Sequence, residues 1–200
     1  ERSFAYTYNA DSDDEDCAVF QGGQVTQGYG SNIPIVGVDY FRGPLDEFGD
    51  EIGMSSFTYY NNAGATPPPP QGTEDPNLPI EWFRYLTGTW RDGTPFSFGG
   101  TGYNDPPTDS IDYAFTADPN VIGGWSMCEE GLASGDRRTI QASGPFLLRP
   151  GAVNELIVGV VWAPDFQYPC PGDFARILEA DDIAQNLFDA CFQLTNGPDA

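Results

Sequence analysis

The sequence predicts a mainly β, β-sandwich-like domain with long Gly/Pro-rich loops and one C-terminal amphipathic α-helix. Three observations predict it. Among 200 residues there are 24 glycines and 18 prolines, which favour many turns and short strands over long helices. Short β-prone runs recur along the chain between turn signals. Only near the C-terminus does the apolar period change to threes and fours.

Residues 4–8 alternate aromatic and small and read as the first strand. Residues 9–16 form a dense acidic loop, and 21–30 a Gly- and Gln-rich turn region. Residues 33–41 read as a strand ended by Arg42-Gly43-Pro44, and 54–60 as another after the acidic loop 45–53. Pro67-Pro68-Pro69-Pro70 enforces polyproline II, so about 63–79 is expected as an exposed excursion of one domain spanning 1–200. Residues 80–86 predict a short helix in which Trp82, Phe83 and Leu86 share a face. Residues 91–124 are dominated by turn signals.

Residues 138–142, 144–148 and 155–163 predict the clearest β block, with Arg149-Pro150-Gly151 as its turn. The last of these is a continuous apolar run, as in a strand buried on both faces, and places Trp162 in the core. From Phe174 onward, Ile177, Leu178, Asp181, Ala184, Leu187, Phe188 and Cys191 share a stripe. They predict a helix of about five turns packed on the sheet, capped by Asp173 and stopped by Asn196-Gly197-Pro198.

Charge excludes whole classes of partner. Thirty acidic residues face eight basic ones, all arginine, for a net charge of −22. Nucleic acid and anionic membrane surfaces both require the opposite sign. The longest apolar run, 156–163, is too short to span a bilayer. The opening Glu1-Arg2 shows no signal peptide, as expected of a mature chain or an excised module.

Four cysteines without Cys-x-x-Cys spacing and without histidine argue for disulfides over zinc, hence for an oxidising, extracellular setting. Cys170 and Cys191 flank the terminal helix. At about 1.5 Å per residue they stand too far apart to bridge. Two pairings stay open: Cys17–Cys170 with Cys128–Cys191, or Cys17–Cys191 with Cys128–Cys170.

The chain lacks histidine and lysine, which removes Ser-His-Asp, Cys-His, Schiff-base, P-loop and Ser-Lys chemistry. It also removes Lys–Asn isopeptide crosslinks. Only a carboxylate-pair hydrolase survives, and among thirty acids such a pair arises by chance. No catalytic residue is assigned.

In the acidic loop, Asn9, Asp11 and Asp13 alternate as oxygen ligands do at the start of a calcium loop, with Asp14 and Asp16 beside them. Asp14 occupies the position of the EF-hand glycine and Phe20 that of its bidentate glutamate, so this is no EF-hand. It reads equally as a calcium site completed by distant acids (Asp46, Glu47, Asp50 or Glu51) or as a solvated, repelling loop. Trp82, Trp90, Trp125 and Trp162 offer a glycan-stacking face or core packing, the latter favoured. Arg137 and Arg138 read as ion-pair partners rather than an anion site. Asp109-Ser110-Ile111 matches a short bacterial O-glycosylation pattern, with Ser110 as acceptor or as a turn serine.

Five stretches carry a resemblance: Gly37-Val38-Asp39-Tyr40-Phe41-Arg42-Gly43-Pro44; Gly53-Met54-Ser55-Ser56-Phe57-Thr58-Tyr59-Tyr60; 83–103; 136–151; and 180–189. Together they resemble a domain of large secreted proteins of the Bacteroidota exported by the type IX secretion system. The resemblance implies the outer cell surface or the medium, and adhesion, gliding or assembly. The expected function is a non-enzymatic structural or adhesive module, such as a subunit of a fibre or layer. Self-association or neighbouring modules of a longer chain are its expected partners. The alternative is a carbohydrate-binding or carbohydrate-processing domain.

Overall fold

The computed structural model describes residues 2–9, 13–14, 17–18, 25–26, 28–104, 109–164, 170 and 174–193. The chain is mainly β with a C-terminal helix. Its contacts divide it into two compact units, where the sequence reading has one domain. Unit 1 comprises 1–43 and 155–200, and unit 2 comprises 44–154.

Unit 1 holds the strands β1 (Phe4–Thr7), β2 (Cys17–Ala18), β3 (Val25–Thr26), β4 (Pro34–Arg42) and β7 (Ile157–Pro164), and the helix α2 (Ala175–Asp189). Its main sheet is antiparallel in the order β1-β4-β7, and β2 pairs with β3 separately. Strands β4 and β7 pair from Pro34↔Pro164 to Arg42↔Ile157, as the two arms of a hairpin do. The whole of unit 2 is therefore inserted where a hairpin turn would stand.

One face of this sheet carries Ile35, Val161 and Ala163, which pack with Phe174 and Ile177 of the helical layer. Two glycines make room for rings on this face. A Cβ at Gly37 would lie 2.2 Å from the Phe4 ring, and one at Gly159 would lie 2.0 Å from the Phe41 ring. Phe41 in turn meets Phe188 of α2, ring centres 5.5 Å apart. The predicted helix stripe is thus the covered one from Phe174 to Phe188, whereas its last predicted member, Cys191, is exposed. The helix itself is 15 residues, about four turns rather than five. It begins at Ala175 with no side-chain cap, and the expected cap residue Asp173 lies outside the described residues.

Unit 2 holds β5 (Met54–Asn61), a 3₁₀ turn (Gln71–Thr73), α1 (Pro79–Leu86) and β6 (Arg137–Ser143). Strands β5 and β6 pair antiparallel. The predicted β block at 138–163 is corrected here. Residues 144–148 are not strand, β6 pairs with β5, and β7 pairs with β4. At the neck of the insertion, Leu45 N–H donates to Asn154 Oδ1 and Asn154 Nδ2 donates to the Leu45 carbonyl, both at 2.8 Å. That clasp ties the ends of the unit together and uses the polar groups a hairpin would have paired.

Aromatic rings fill the core of unit 2. Trp90 stacks on Phe96 with centres 3.9 Å apart, and Tyr59, Tyr60 and Tyr85 surround them. Trp90 Nε1 donates to the Gly102 carbonyl at 2.8 Å, and Trp125 Nε1 to the Gly100 carbonyl at 3.1 Å, so neither indole N–H is buried unpaired. The prolines at 67, 68 and 70 are exposed as expected, but the segment 63–79 is not an excursion throughout. Gly72, Thr73 and Pro76 are buried, and Asn61 Nδ2 donates to the Thr73 hydroxyl at 3.0 Å.

Asp92 organises the loop after Trp90. Its carboxylate accepts the Thr94 N–H and the Tyr103 hydroxyl, at 2.8 and 2.7 Å. Partial burial pushes its pKa up, but these hydrogen bonds outweigh that and hold it below the ordinary aspartate value. A depressed carboxylate stabilises the fold above its unfolded pKa and loses that contribution as pH falls through the folded one. The urea midpoint of unit 2 is expected to drop on acidification below about pH 4, with a smaller drop in Asp92→Asn. An identical acid limb in the two proteins would refute this role.

Candidate functional site

The main feature left over by folding is exposed apolar surface on regular elements. Among the described residues, strand β7 is an edge strand of the β1-β4-β7 sheet. Its inward row (Gly159, Val161, Ala163) is buried. Its outward row is not: Val158, Val160 and Trp162 are exposed, the last two at 69% and 66%. Both the strand buried on two faces and the core position of Trp162 are therefore corrected. A strand shows period-two alternation only when its two rows differ in polarity. Here both are apolar, so the sequence alone does not separate the covered row from the open one. Across the sheet, Val36 pairs with Trp162 and Val38 with Val160, both half-buried, so the apolar row continues onto β4.

Unit 2 carries its own exposed apolar surface on α1. Pro79 starts the helix, and Glu81 Oε2 accepts the N–H groups of Asn77 and Leu78 at 2.6 and 3.0 Å. Arg91 then bridges two acids, Glu81 at 3.2 Å and Glu74 at 3.0 Å. The residue that anchors the helix to the core is Tyr85, fully buried, whose hydroxyl donates to the Glu74 carbonyl at 2.9 Å. The predicted shared face of Trp82, Phe83 and Leu86 is exposed, together with Leu78 and Ile80. Trp82 still meets Tyr60 edge-on at 6.2 Å.

The four tryptophans separate accordingly. Trp90 and Trp125 are core, as the favoured reading has it, whereas Trp82 and Trp162 are exposed on different units. Arg138 pairs with Asp75 at 2.7 Å and Asp136 at 3.4 Å, in keeping with the ion-pair reading, and Arg137 donates to the Ala133 carbonyl. Ser110 is exposed, and its backbone forms a bridge with Ser97.

Of the candidate calcium ligands, Asn9, Asp13 and Asp14 lie within the described residues, and Asp11 and Asp16 lie outside them. Asp14 Oδ2 accepts the Tyr29 N–H at 2.8 Å, and the Asp14 backbone bridges Gly30. Asp46 Oδ1 is occupied by the N–H groups of Phe48 and Asp50. Among the described residues no group of three or more His, Cys, Asp or Glu side chains is placed to hold a metal ion.

Cys128 and Cys170 are disulfide-bonded. Cys191 is a free, exposed thiol just past the end of α2, and the side chain of Cys17 lies outside the described residues. Both pairings derived from the sequence put Cys191 in a bridge, and each is corrected on that point alone. A disulfide is compatible with an extracellular protein. Among the described residues no helix is long and apolar enough to cross a membrane.

Sequence reasoning places Asp181 on the apolar stripe of α2 without assigning it a role. The structure buries it almost completely, at 1% exposure, against Asp39 of β4, at 4%. Arg2 Nε lies 3.2 Å from Asp181 Oδ2, and its terminal nitrogen donates to Asp182. Oxygen Oδ1 of Asp39 and Oδ1 of Asp181 are both buried without a hydrogen-bond donor. An acid inside an apolar helix stripe is the signal that locates such a group in sequence; its partner on β4 is visible only after folding.

Comparison with protein-family models, curated proteins and solved structures finds no match.

Proposed function

We propose that this chain is a non-enzymatic extracellular module that works by association, as a structural or adhesive part of a bacterial surface protein. The observation that carries the reading is the exposed apolar row of edge strand β7, Val158-Val160-Trp162. Apolar side chains held at strand spacing on a sheet edge suit docking of another strand or module. No charged residue interrupts 156–164, so the edge lacks the usual guard against pairing. The disulfide-bonded cysteines and the resemblance to type IX-exported proteins support the outer surface or the medium as its location.

A net charge of −22 opposes contact between copies. Association is therefore expected to strengthen about tenfold as salt rises from roughly 0.05 to 0.5 M, because screening removes the repulsion first. Sedimentation velocity measures this, with a parallel calcium titration to test the acidic loop. Replacing Val160 and Trp162 together by aspartate is expected to abolish association. A chain that stays monomeric at every salt and calcium concentration would overturn the reading.

The aromatic surface of α1 favours a second reading, glycan binding through Trp82 and Phe83. A tryptophan-fluorescence change with oligosaccharide, lost in Trp82→Ala and kept in Trp162→Ala, would select it.

A further inference from the structure

In unit 1, Asp39 of β4 and Asp181 of α2 are brought together across the layer that holds the helix on the sheet. Each is more than nine-tenths buried, and each keeps one carboxylate oxygen without a donor. Two ionised carboxylates offer only acceptors to one another, so both orphan oxygens stay unsatisfied and their charges repel. One proton between them answers both problems: it supplies the missing donor, satisfies the second oxygen as acceptor and removes one buried charge.

The surroundings fix which acid keeps the proton. Burial raises the Asp39 pKa above the ordinary aspartate value, and backbone hydrogen bonding at Tyr40 and Ser3 offsets part of that by favouring its charged form. Asp181 has only Arg2 on its other oxygen. Asp182, the next residue on α2, shares Arg2 from the exposed side. Opposite Asp39, β7 presents Gly159 and β1 presents Phe4, neither of them charged. Tyr6 and Tyr8 pack into the same layer, and Arg176 and Glu179 lie on the exposed side of α2. Among the described residues one cation, Arg2, thus stands against three carboxylates.

We propose that Asp39 and Asp181 share one proton and so form a latch between α2 and the sheet, closed in mildly acidic medium and slackened as the medium becomes alkaline. A divalent cation is the poorer occupant, because the pair supplies only two carboxylates and Arg2 already holds positive charge against them. Burial, and then the charge of Asp39, push the Asp181 pKa up to about 6. A carboxyl with a raised pKa stabilises the folded form fully below its unfolded value and loses that advantage as pH climbs through the folded value. The window therefore runs from the ordinary aspartate range up to about 6.

The test uses the whole chain. Amide hydrogen exchange is followed by NMR at about pH 5 and pH 8, with rates normalised to their intrinsic values. The α2 and β4 amides are expected to lose protection by about tenfold or more at the higher pH. Asp181→Asn reproduces the hydrogen bonds of the protonated acid, donating to Asp39 and accepting from Arg2. In that variant the pH dependence of α2 protection is expected to vanish, with protection retained at both pH values. Carbon-13 titration of the aspartate carboxyls should show one site with a midpoint near 6, absent in Asp181→Asn and moved to lower pH in Asp39→Asn, which removes the charge of Asp39 but not the burial. Two results would each overturn the latch: protection of α2 independent of pH in the wild-type chain, or a pH dependence that survives in Asp181→Asn. No carboxyl titrating above about pH 5 would do the same.

Discussion

Trp90→Ala is expected to cost about 3–5 kcal/mol, the largest loss of any single truncation in unit 2. Trp90 is fully buried and stacks on Phe96. Tyr59, Tyr85 and Tyr103 present their rings edge-on around it. Truncation removes those contacts and leaves a cavity that the β5–β6 pair and the loops above it cannot close. It also removes one of two donors to the Gly102 carbonyl, which keeps the Ser97 N–H at 3.1 Å. Trp90→Phe goes part of the way to separating the two effects, since it keeps a stacked ring while removing the donor and one ring of the indole. Its expected loss is about 0.5–1.5 kcal/mol, since the Gly102 carbonyl still accepts the Ser97 N–H. Urea denaturation followed by near-ultraviolet circular dichroism measures both. A loss under about 1.5 kcal/mol for the alanine variant would show that the aromatic cluster is not the centre of the unit.

Ile177→Ala is the matching experiment in unit 1, with an expected loss of about 2–5 kcal/mol. Ile177 is fully buried beneath α2, where it packs with Ile35, Val161, Ala163 and Phe174. Burial of this one stripe is what keeps a helix of 15 residues in place, since a free helix of that length is marginal in water. The loss should appear as faster amide exchange in α2 and β4. Ile183→Ala provides the control. Ile183 lies on the same helix but is 62% exposed, and its replacement should change stability by less than about 0.5 kcal/mol. Equal effects at the two positions would mean that α2 does not rest on the sheet through the predicted stripe.

These experiments bear on function through the surfaces each core holds in place. The Ile177 layer fixes the sheet whose edge strand presents Val158, Val160 and Trp162. The Tyr85 anchor holds α1 with Phe83 facing outward at 60% exposure. A variant that loses association while keeping its urea midpoint identifies a surface residue. One that loses both identifies a residue of the support.

Much of the fold was legible in the residues themselves. Strands β1, β4, β5, β6 and β7 and both helices fall close to where local pattern puts them, because β-branched and aromatic runs, Pro–Gly punctuation and a three-four period act over a few residues. The buried stripe of α2 was legible for the same reason, down to the acid at position 181. The lack of histidine and lysine and the net charge are properties of composition and need no fold to be read.

What only the tertiary structure decided is non-local. It paired β4 with β7 across 114 intervening residues and β6 with β5, although β6 and β7 look like neighbours in the sequence. It chose which apolar row of β7 faces α2 and left Trp162 on the other. It turned Tyr85 of α1 into the core rather than Trp82, Phe83 and Leu86. It left Cys191 unbridged and set Asp39 against Asp181. Hydrophobic burial carries no direction, so a sequence states how much apolar surface a chain has to cover. Which of that surface is covered depends on what the remaining elements can reach.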